Sequence, residues 1–453
     1  MGVCSLFDQT FSADNFRKIF DRENRRGNDV VGSFFPDLID VTNEIRLQNQ
    51  SIREFRKTKG SLSPGEFKAQ LEEMKFSLKE KKERKTAATD QLLEGISAGA
   101  RHKSFQLSVK KKLGPAGKEV YVVPNEARSF FVIKQLQRNL NRLYGIQQSN
   151  RHQIVCQIRD SIASNLPCIL IRTDVEAFYE SIDGGSLIKR LNEDQRLSLS
   201  SKDYIKQIMR SYQGLSGTQA GLPRGVGISA YLSELYMQGV DREIRAMPGI
   251  IYYARYVDDI VAIFSPSPDD DTTAYLSNIK NVIERHGLVP NASKTKSMSL
   301  PTLNGSTFEC LGYEFKPHAG NCNISIGNTK IMRYRRRIEL AFSLYNIKSA
   351  SNQKEAYRLL VSRMKFLTGN TRLSNSKQHA LTGIYFNNSL ISNAAVLNGL
   401  DSYFKYLTGK LSSATLRDRL AEMSFVDGFR ERRFHNFSTT ELSRIVKAWK
   451  YDT

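Results

Sequence analysis

Two adjacent carboxylates, Asp258 and Asp259, interrupt the apolar, β-rich run IIYYARYVDDIVAIFS, and a third, Asp174, stands where the apolar run of CILIRTD gives out. Adjacent acids suit a tight turn and do not suit a strand interior, so the pair is expected at a hairpin tip. A plain Asx turn on a surface hairpin is the alternative. Apolar residues press on both sides of the pair, however, and carboxylates placed there are costly unless a cation offsets them. If the two strand ends lie side by side in one sheet, the acids converge although 84 positions (258 − 174) separate them. Asp174, Asp258 and Asp259 then present hard oxygen ligands and leave room for substrate phosphates, which is how Mg²⁺ is usually held. Two such ions about 3.5–4 Å apart activate an attacking hydroxyl and stabilise the leaving oxygen of an in-line phosphoryl displacement. The chemistry indicated is nucleotidyl transfer.

The elements that must position these acids are also legible. From Cys168 to Phe315 short β-rich runs alternate with helical stretches, an α+β texture. Between the acids, Gly221, Leu222, Pro223, Arg224 and Gly225 read as a turn into a helix that opens on the small residues Gly227, Ser229 and Ala230. Such a bare backbone lets another group approach closely, and a nucleotide base or template strand is the natural candidate. Asp183 and Asp241 have no strand-end placement and read as surface acids. The flanks are helical, including one long tract from RSFFVIKQ to DSIASN. Ser63, Pro64 and Glu66 compose an N-cap, a first-turn proline and a capping box ahead of Phe67, Leu71, Met74 and Leu78 at helical spacing. That stripe must dock on another element, while the basic run Lys79–Lys85 reads as a solvated face. Ser438 and Glu441 form a second capping box, and Gly114, Pro115 and Gly117 break a basic patch into two strands joined by a turn.

The chain has 453 residues and a formal net charge of +21, an excess that points to a polyanionic partner, nucleic acid first. Its 40% hydrophobic and 25% charged residues exclude wholesale disorder, collagen-like and coiled-coil classes. No apolar run approaches the roughly 18 residues of a membrane span, and MGVCSLFDQTF lacks a secretory profile. No membrane partner is therefore expected. The five cysteines, Cys4, Cys156, Cys168, Cys310 and Cys322, are scattered, without CxxC or His spacing. They read as free thiols in a reducing cytosol, hence a cytoplasmic protein without a zinc or nuclease centre.

The order D-V-x-x-F-Y, L-P-R-G-V-x-I-S, Y-V-D-D, a Lys-containing segment and L-G-Y resembles the reverse transcriptases, over roughly residues 125–320. The resemblance implies that Tyr256–Asp259 is the metal-binding turn and Asp174 the first metal aspartate, with Val175 adding a backbone carbonyl. It places Phe178 and Tyr179 at the nucleotide, Tyr179 as the bulky aromatic against the sugar 2′ position, and Lys294 beside the incoming triphosphate. Leu311, Gly312 and Tyr313 look like the primer-grip turn. Arg224, with Gly225, stands where many members have Gln, and a guanidinium cannot reproduce an amide's hydrogen bonds. Lys134, Arg138 and Arg151 are candidates for triphosphate or template, and Arg333 and Arg336, with Arg335 and Arg337, for the template–primer duplex. A solvated helix face is the alternative for each of these cations, and a core aromatic for Tyr179.

The expected fold is accordingly α+β, a right-hand polymerase whose fingers and palm carry antiparallel sheet, followed by a helical region. Its division is a helical N-terminal region at 1–110, fingers at 111–164, palm with interleaved fingers elements at 165–316, and a helical thumb or accessory region at 317–453. SNRHQIVCQIRDSI, FYESID, RMKFLTGNTRL and GIYFNNSLI resemble the bacterial defence-associated, abortive-infection-like reverse transcriptases. That resemblance implies RNA-directed DNA synthesis with two Mg²⁺ ions, Mn²⁺ being the substitute. The partners are an RNA template, a dedicated non-coding RNA, with deoxynucleotides and a DNA product, in an anti-phage role. A homo-oligomer or a second defence protein is compatible with it. The competing readings are a template-independent or protein-primed DNA polymerase of the same fold, an RNA-dependent RNA polymerase, and a non-catalytic RNA-binding scaffold.

Overall fold

The computed structural model describes residues 7–449 apart from 61–62, 115–116, 118, 164–165, 269–270, 301–306, 319 and 374–379, so Cys4 and Pro115 lie outside the described residues. Four helices come first: α1 (Ala13–Arg25), α2 (Val30–Phe34), α3 (Ile39–Phe55) and α4 (Pro64–Arg101). α4 begins where the capping box places it, with the Glu66 amide donating to the Ser63 hydroxyl and the Ser63 amide donating back to the Glu66 carboxylate. Its apolar stripe docks on α3, where Phe55 stacks on Phe67 with ring centroids 5.0 Å apart. The basic run is not only solvated. Arg84 pairs with Glu44 at 2.7 Å and Lys81 donates to Gln48 at 3.2 Å, so part of it fastens α4 to α3.

β1 (Lys110–Leu113) and β2 (Glu119–Val122) then form an antiparallel pair. The helical tract that follows is two helices, α5 (Ala127–Tyr144) and α6 (Arg151–Ala163). Gly145, at φ +58°, ends the first in the left-handed conformation that glycine adopts at least cost. Next come β3 (Cys168–Asp174), α7 (Phe178–Ser181), α8 (Gly184–Glu193), α9 (Leu199–Ser216) and α10 (Ser229–Arg245). They are followed by β4 (Ile250–Tyr256), β5 (Asp259–Phe264), α11 (Thr272–Arg285), β6 (Lys296–Leu300), β7 (Phe308–Cys310), β8 (Tyr313–His318) and β9 (Asn321–Ile326). The C-terminal part is α12 (Asn328–Ser349), α13 (Gln353–Thr368), β10 (Asn370–Arg372), β11 (Leu381–Gly383), α14 (Asn398–Gly409), α15 (Ala414–Ala421), α16 (Phe425–Arg430) and α17 (Thr439–Val446). The architecture is α+β, as expected.

The sheet that organises the molecule has the order β4-β5-β3-β6, antiparallel throughout. β3 is an inner strand buried on both faces, which is why its sequence is a continuous apolar run rather than an alternating one. Its alternate residues feed two different cores. Ile169 and Ile171 pack with the N-terminal helices, α10 and α11, whereas Cys168 and Leu170 pack with α6, the β7-β8-β9 sheet and the C-terminal helices. The sheet is therefore the wall between two hydrophobic interiors, and the acids sit at one end of it. No helix among the described residues is long and apolar enough to cross a membrane.

Candidate active site

Register brings the three acids together. β3 and β5 pair so that Asp174 lies directly opposite Asp259, and β4 and β5 pair Tyr256 with Asp259. Only Val257 and Asp258 are left to form the turn, so Asp258 stands beside both of the others. Val257 has φ +60°, a strained conformation for a β-branched residue that persists where surrounding bonds enforce it. Two bonds do so: Arg255 donates to the Val257 carbonyl at 2.8 Å, and the Val175 amide donates to the Asp258 carbonyl at 3.3 Å. One carboxylate oxygen from each of Asp174, Asp258 and Asp259 lies within 4.8 Å of the other two.

Three carboxylates this close repel unless cations intervene, and two side chains partly offset them. Lys294 reaches Asp174 at 2.6 Å, and Arg172 reaches Asp259 at 2.9 Å. The Lys294 loop is anchored by the Asn291 amide, which donates to the Asp174 carbonyl at 2.7 Å. The bond to Asp174 raises the Lys294 ammonium above its ordinary value. Asp258 has no such partner among the described residues. Burial, and after it the charges of Asp174 and Asp259, push its carboxyl up. An all-oxygen donor set with one uncompensated acid fits a hard divalent cation.

Behind the turn lies a network that sequence reading missed. Arg255 has a 5% exposed side chain and bonds two carboxylates of α10, Glu234 at 2.6 Å and Asp241 at 2.8 Å. Burial disfavours its charge, but the bonds from Asp241 and Glu234 outweigh that and hold the guanidinium above its usual value. The Tyr253 hydroxyl donates to Asp241 at 2.6 Å. Asp241 is thus not a surface acid, and Asp183 caps α8 through the amides of Gly185 and Ser186. The Glu-x6-Asp spacing on α10 opposite an arginine in an apolar strand was the available signal. Arg172, also unassigned from sequence, donates to the Glu309 carbonyl at 2.5 Å and so ties Asp259 to β7.

Tyr179 is half-buried, with the Arg224 guanidinium 5.8 Å from its ring centroid, and Arg224 is held by two bonds to Glu180 at 2.8 and 3.0 Å. Phe178 is buried and packs edge-on against Tyr179. At Gly225, in the turn ahead of the bare backbone of Gly227, Ser229 and Ala230, another part of the chain comes close. Gly225 has φ +95°, and a methyl group there would stand 2.8 Å from the Tyr121 carbonyl oxygen of β2. The turn there seats β2, whose Tyr121 amide donates to the Arg224 carbonyl at 2.7 Å.

The structure separates the remaining cations. Arg151, expected against triphosphate or template, donates to the Leu311 carbonyl at 2.8 Å and covers the Tyr313 ring at 4.9 Å. It fastens the β7–β8 turn, in which Leu311 and Gly312 have φ +48° and +73°. Leu311 and Tyr313 are buried, so Gly312 is the turn's exposed point. Arg333 and Arg336 are exposed on α12. Lys134 and Arg138 line a separate cavity whose wall contains none of the three aspartates.

Beneath the turn, Lys330 donates to the Asn387 carbonyl at 2.7 Å, and burial followed by the charges of Arg151 and Arg333 lowers its ammonium to about 7. Between that value and the ordinary lysine range the unfolded chain binds a proton that the folded chain does not, so this group makes stability rise with pH. Lys330→Met is expected to remove that slope. Measured by thermal unfolding, variant minus parent should be most favourable to the variant near pH 6 and shrink toward pH 9.

Residues 125–315 match the reverse transcriptase (RNA-dependent DNA polymerase) family. The enzyme class that goes with that family is RNA-directed DNA polymerase, a nucleotidyltransferase. No curated protein matches the chain in sequence. Solved structures similar to it include a C-terminally truncated apo telomerase from Candida tropicalis, at 15% identity and TM-score 0.34, covering 48% of this chain and 55% of that one. Telomerase from Candida albicans in complex with a telomeric RNA fragment is 14% identical, with TM-score 0.37 and coverage of 76% and 62%. The apo telomerase from Candida tropicalis is 14% identical, with TM-score 0.39 and coverage of 78% and 68%. The chain thus spans 55% and 62% of the first two telomerases.

Proposed function

We propose that this chain, whose residues 125–315 match the reverse transcriptase family, copies an RNA template into DNA. The observation that carries the reading is the meeting of Asp174, Asp258 and Asp259 at neighbouring strand ends, with oxygens inside 4.8 Å. Asp174, Asp258 and Asp259, with the Val175 carbonyl, would hold two Mg²⁺ ions, or Mn²⁺ in their place. When bound, such ions activate the primer hydroxyl and stabilise the leaving pyrophosphate oxygen.

The chain's own residues supply the rest. Asp174 and Asp259 are fixed by strand register and Asp258 by the strained turn, so the carboxylates are preorganised and need no rearrangement at the moment of reaction. Lys294, about half exposed and bonded to Asp174 at the edge of the cluster, would bond the departing pyrophosphate. Tyr179, stiffened by Phe178 and by Arg224 over its ring, stands against the sugar and excludes a 2′-hydroxyl. The backbone of Gly312 receives the primer strand, and Arg333 and Arg336 hold the duplex by its phosphates. The division into N-terminal region, fingers, palm and helical thumb follows the same reading, as does a cytoplasmic location. A dedicated non-coding RNA template and an anti-phage role rest on the sequence resemblance.

Purified protein supplied with its co-purifying RNA, Mg²⁺ and labelled deoxynucleotides should yield DNA complementary to that RNA. Product of unrelated sequence, or none, would refute templated synthesis. Tyr179→Val should raise ribonucleotide incorporation about tenfold or more relative to deoxynucleotide. An unchanged ratio would remove the gate.

A further inference from the structure

The cavity that holds Lys134 and Arg138 lies between α1 and α5, encloses about 340 Å³ and is closed on a third side by Tyr231 of α10. Lys18, Arg22, Arg25 and Arg26 come from the α1 side, and Arg142 joins Lys134 and Arg138 from α5. Seven cations therefore face one carboxylate, Glu23, leaving a net six positive charges (7 − 1) on the wall. Glu23 is already used: its side chain is 3% exposed and bonded to Lys134 at 2.9 Å, to Arg26 at 3.5 Å and to Asn28 at 2.6 Å. Among the described residues, no carboxylate forms an ion pair with Lys18, Arg22, Arg25, Arg138 or Arg142. Arg138 shows the strain, since burial and then the charge of Arg142 push its guanidinium below the usual value, more than the charge of Asp8 restores. Beyond Glu23, the carboxylate of Asp8 acts on Arg138 and Lys18 from a distance, and like charges gathered in a concave space still exceed their counter-charge.

We propose that this cavity binds a nucleotide-sized ligand through a 5′-polyphosphate, at a site apart from the three aspartates. The volume falls at the small end of ligand sites, about 300–1,000 Å³, so one nucleotide fits and a stretch of duplex does not. Several phosphate charges in a short length answer the surplus on the wall, and the arginine forks suit phosphate oxygens. Tyr231, half-buried, offers a ring, and Gln137 and Asn141 offer amides to the rest of the ligand. Two sources share this chemistry, a free nucleoside triphosphate and the 5′-triphosphate end of an RNA.

The test is fluorescence anisotropy of ribose-labelled ATP on the full chain in EDTA, so that binding through divalent ions is suppressed. Arg22→Gln with Arg142→Gln, both at exposed side chains, should weaken binding about tenfold or more and leave the unfolding midpoint unchanged. Arg25→Gln, exposed on the same wall, should give a smaller loss, and Asp258→Asn should leave the affinity within about twofold. Stronger displacement by 5′-triphosphorylated RNA than by ATP assigns the site to an RNA end, and the reverse order assigns it to free nucleotide. Either supports the proposal. Unchanged binding in the double variant, loss in Asp258→Asn, or equal displacement by the same RNA bearing a 5′-hydroxyl overturns it.

Discussion

Asp258→Asn is expected to lower Mg²⁺-dependent DNA synthesis by about 10³-fold or more while leaving the unfolding midpoint unchanged or raised. The two readouts move apart because Asp258 is the acid without a cationic partner. Burial and the neighbouring Asp174 and Asp259 charges push its carboxyl up, so the ionised form is unfavourable in the folded chain without metal. An amide of the same shape removes that repulsion and also removes a ligand. If Asp258 were merely an Asx turn residue, the substitution would cost stability and spare activity. Thermal unfolding in EDTA beside an incorporation assay in Mg²⁺ separates these outcomes, and synthesis that survives the change would end the proposed mechanism.

Arg255→Met is expected to destabilise the fold by about 3 kcal/mol, because it strands Glu234 and Asp241, each with a side chain only 14% exposed, without their partner. Activity should fall with it, since Arg255 also holds the Val257 carbonyl and through it the strained turn that carries Asp258. The comparison that matters is the triple variant with Glu234→Gln and Asp241→Asn. Removing all three charges should recover most of the stability lost in the single variant, as replacing a whole buried ion cluster often does. Incorporation should stay depressed, because the Val257 carbonyl has then lost its Arg255 donor and the turn keeps only the Val175 bond. Urea unfolding and single-nucleotide incorporation on the three proteins decide this. Equal stability of single and triple variants would mean that the network is not a charge cluster.

The legible parts of this molecule were those in which local sequence and tertiary position express the same constraint. β3 had to be continuously apolar because both its faces are covered, and Asp174 was visible because it ended that run. The turn at Asp258 was readable because two acids cannot sit inside a strand. The boundaries of α4 and α17 were readable because a capping box is a four-residue pattern. Arg255, Glu234 and Asp241 were harder to read, because the Glu-x6-Asp spacing on the helix and the lone arginine in an apolar strand point to each other only once strand and helix are packed together. The neighbour of Gly225 was hidden for a related reason. Its sequence requires that something come close but does not say whether that is a ligand or the β2 backbone. The partner of Arg151 was hidden because a cation at the start of a helix gives no hint of a turn 160 positions away.

The wall of four strands also constrains how the protein can be made. β3 is completed at residue 174, yet both neighbours that cover its edges, β5 and β6, lie later in the chain, at 259–264 and 296–300. During synthesis an apolar ribbon with two open hydrogen-bonding margins must wait for more than eighty further residues to emerge. Such a ribbon invites pairing with another nascent copy. Slow production at reduced temperature should therefore raise the yield of usable protein more than any adjustment of the purified sample.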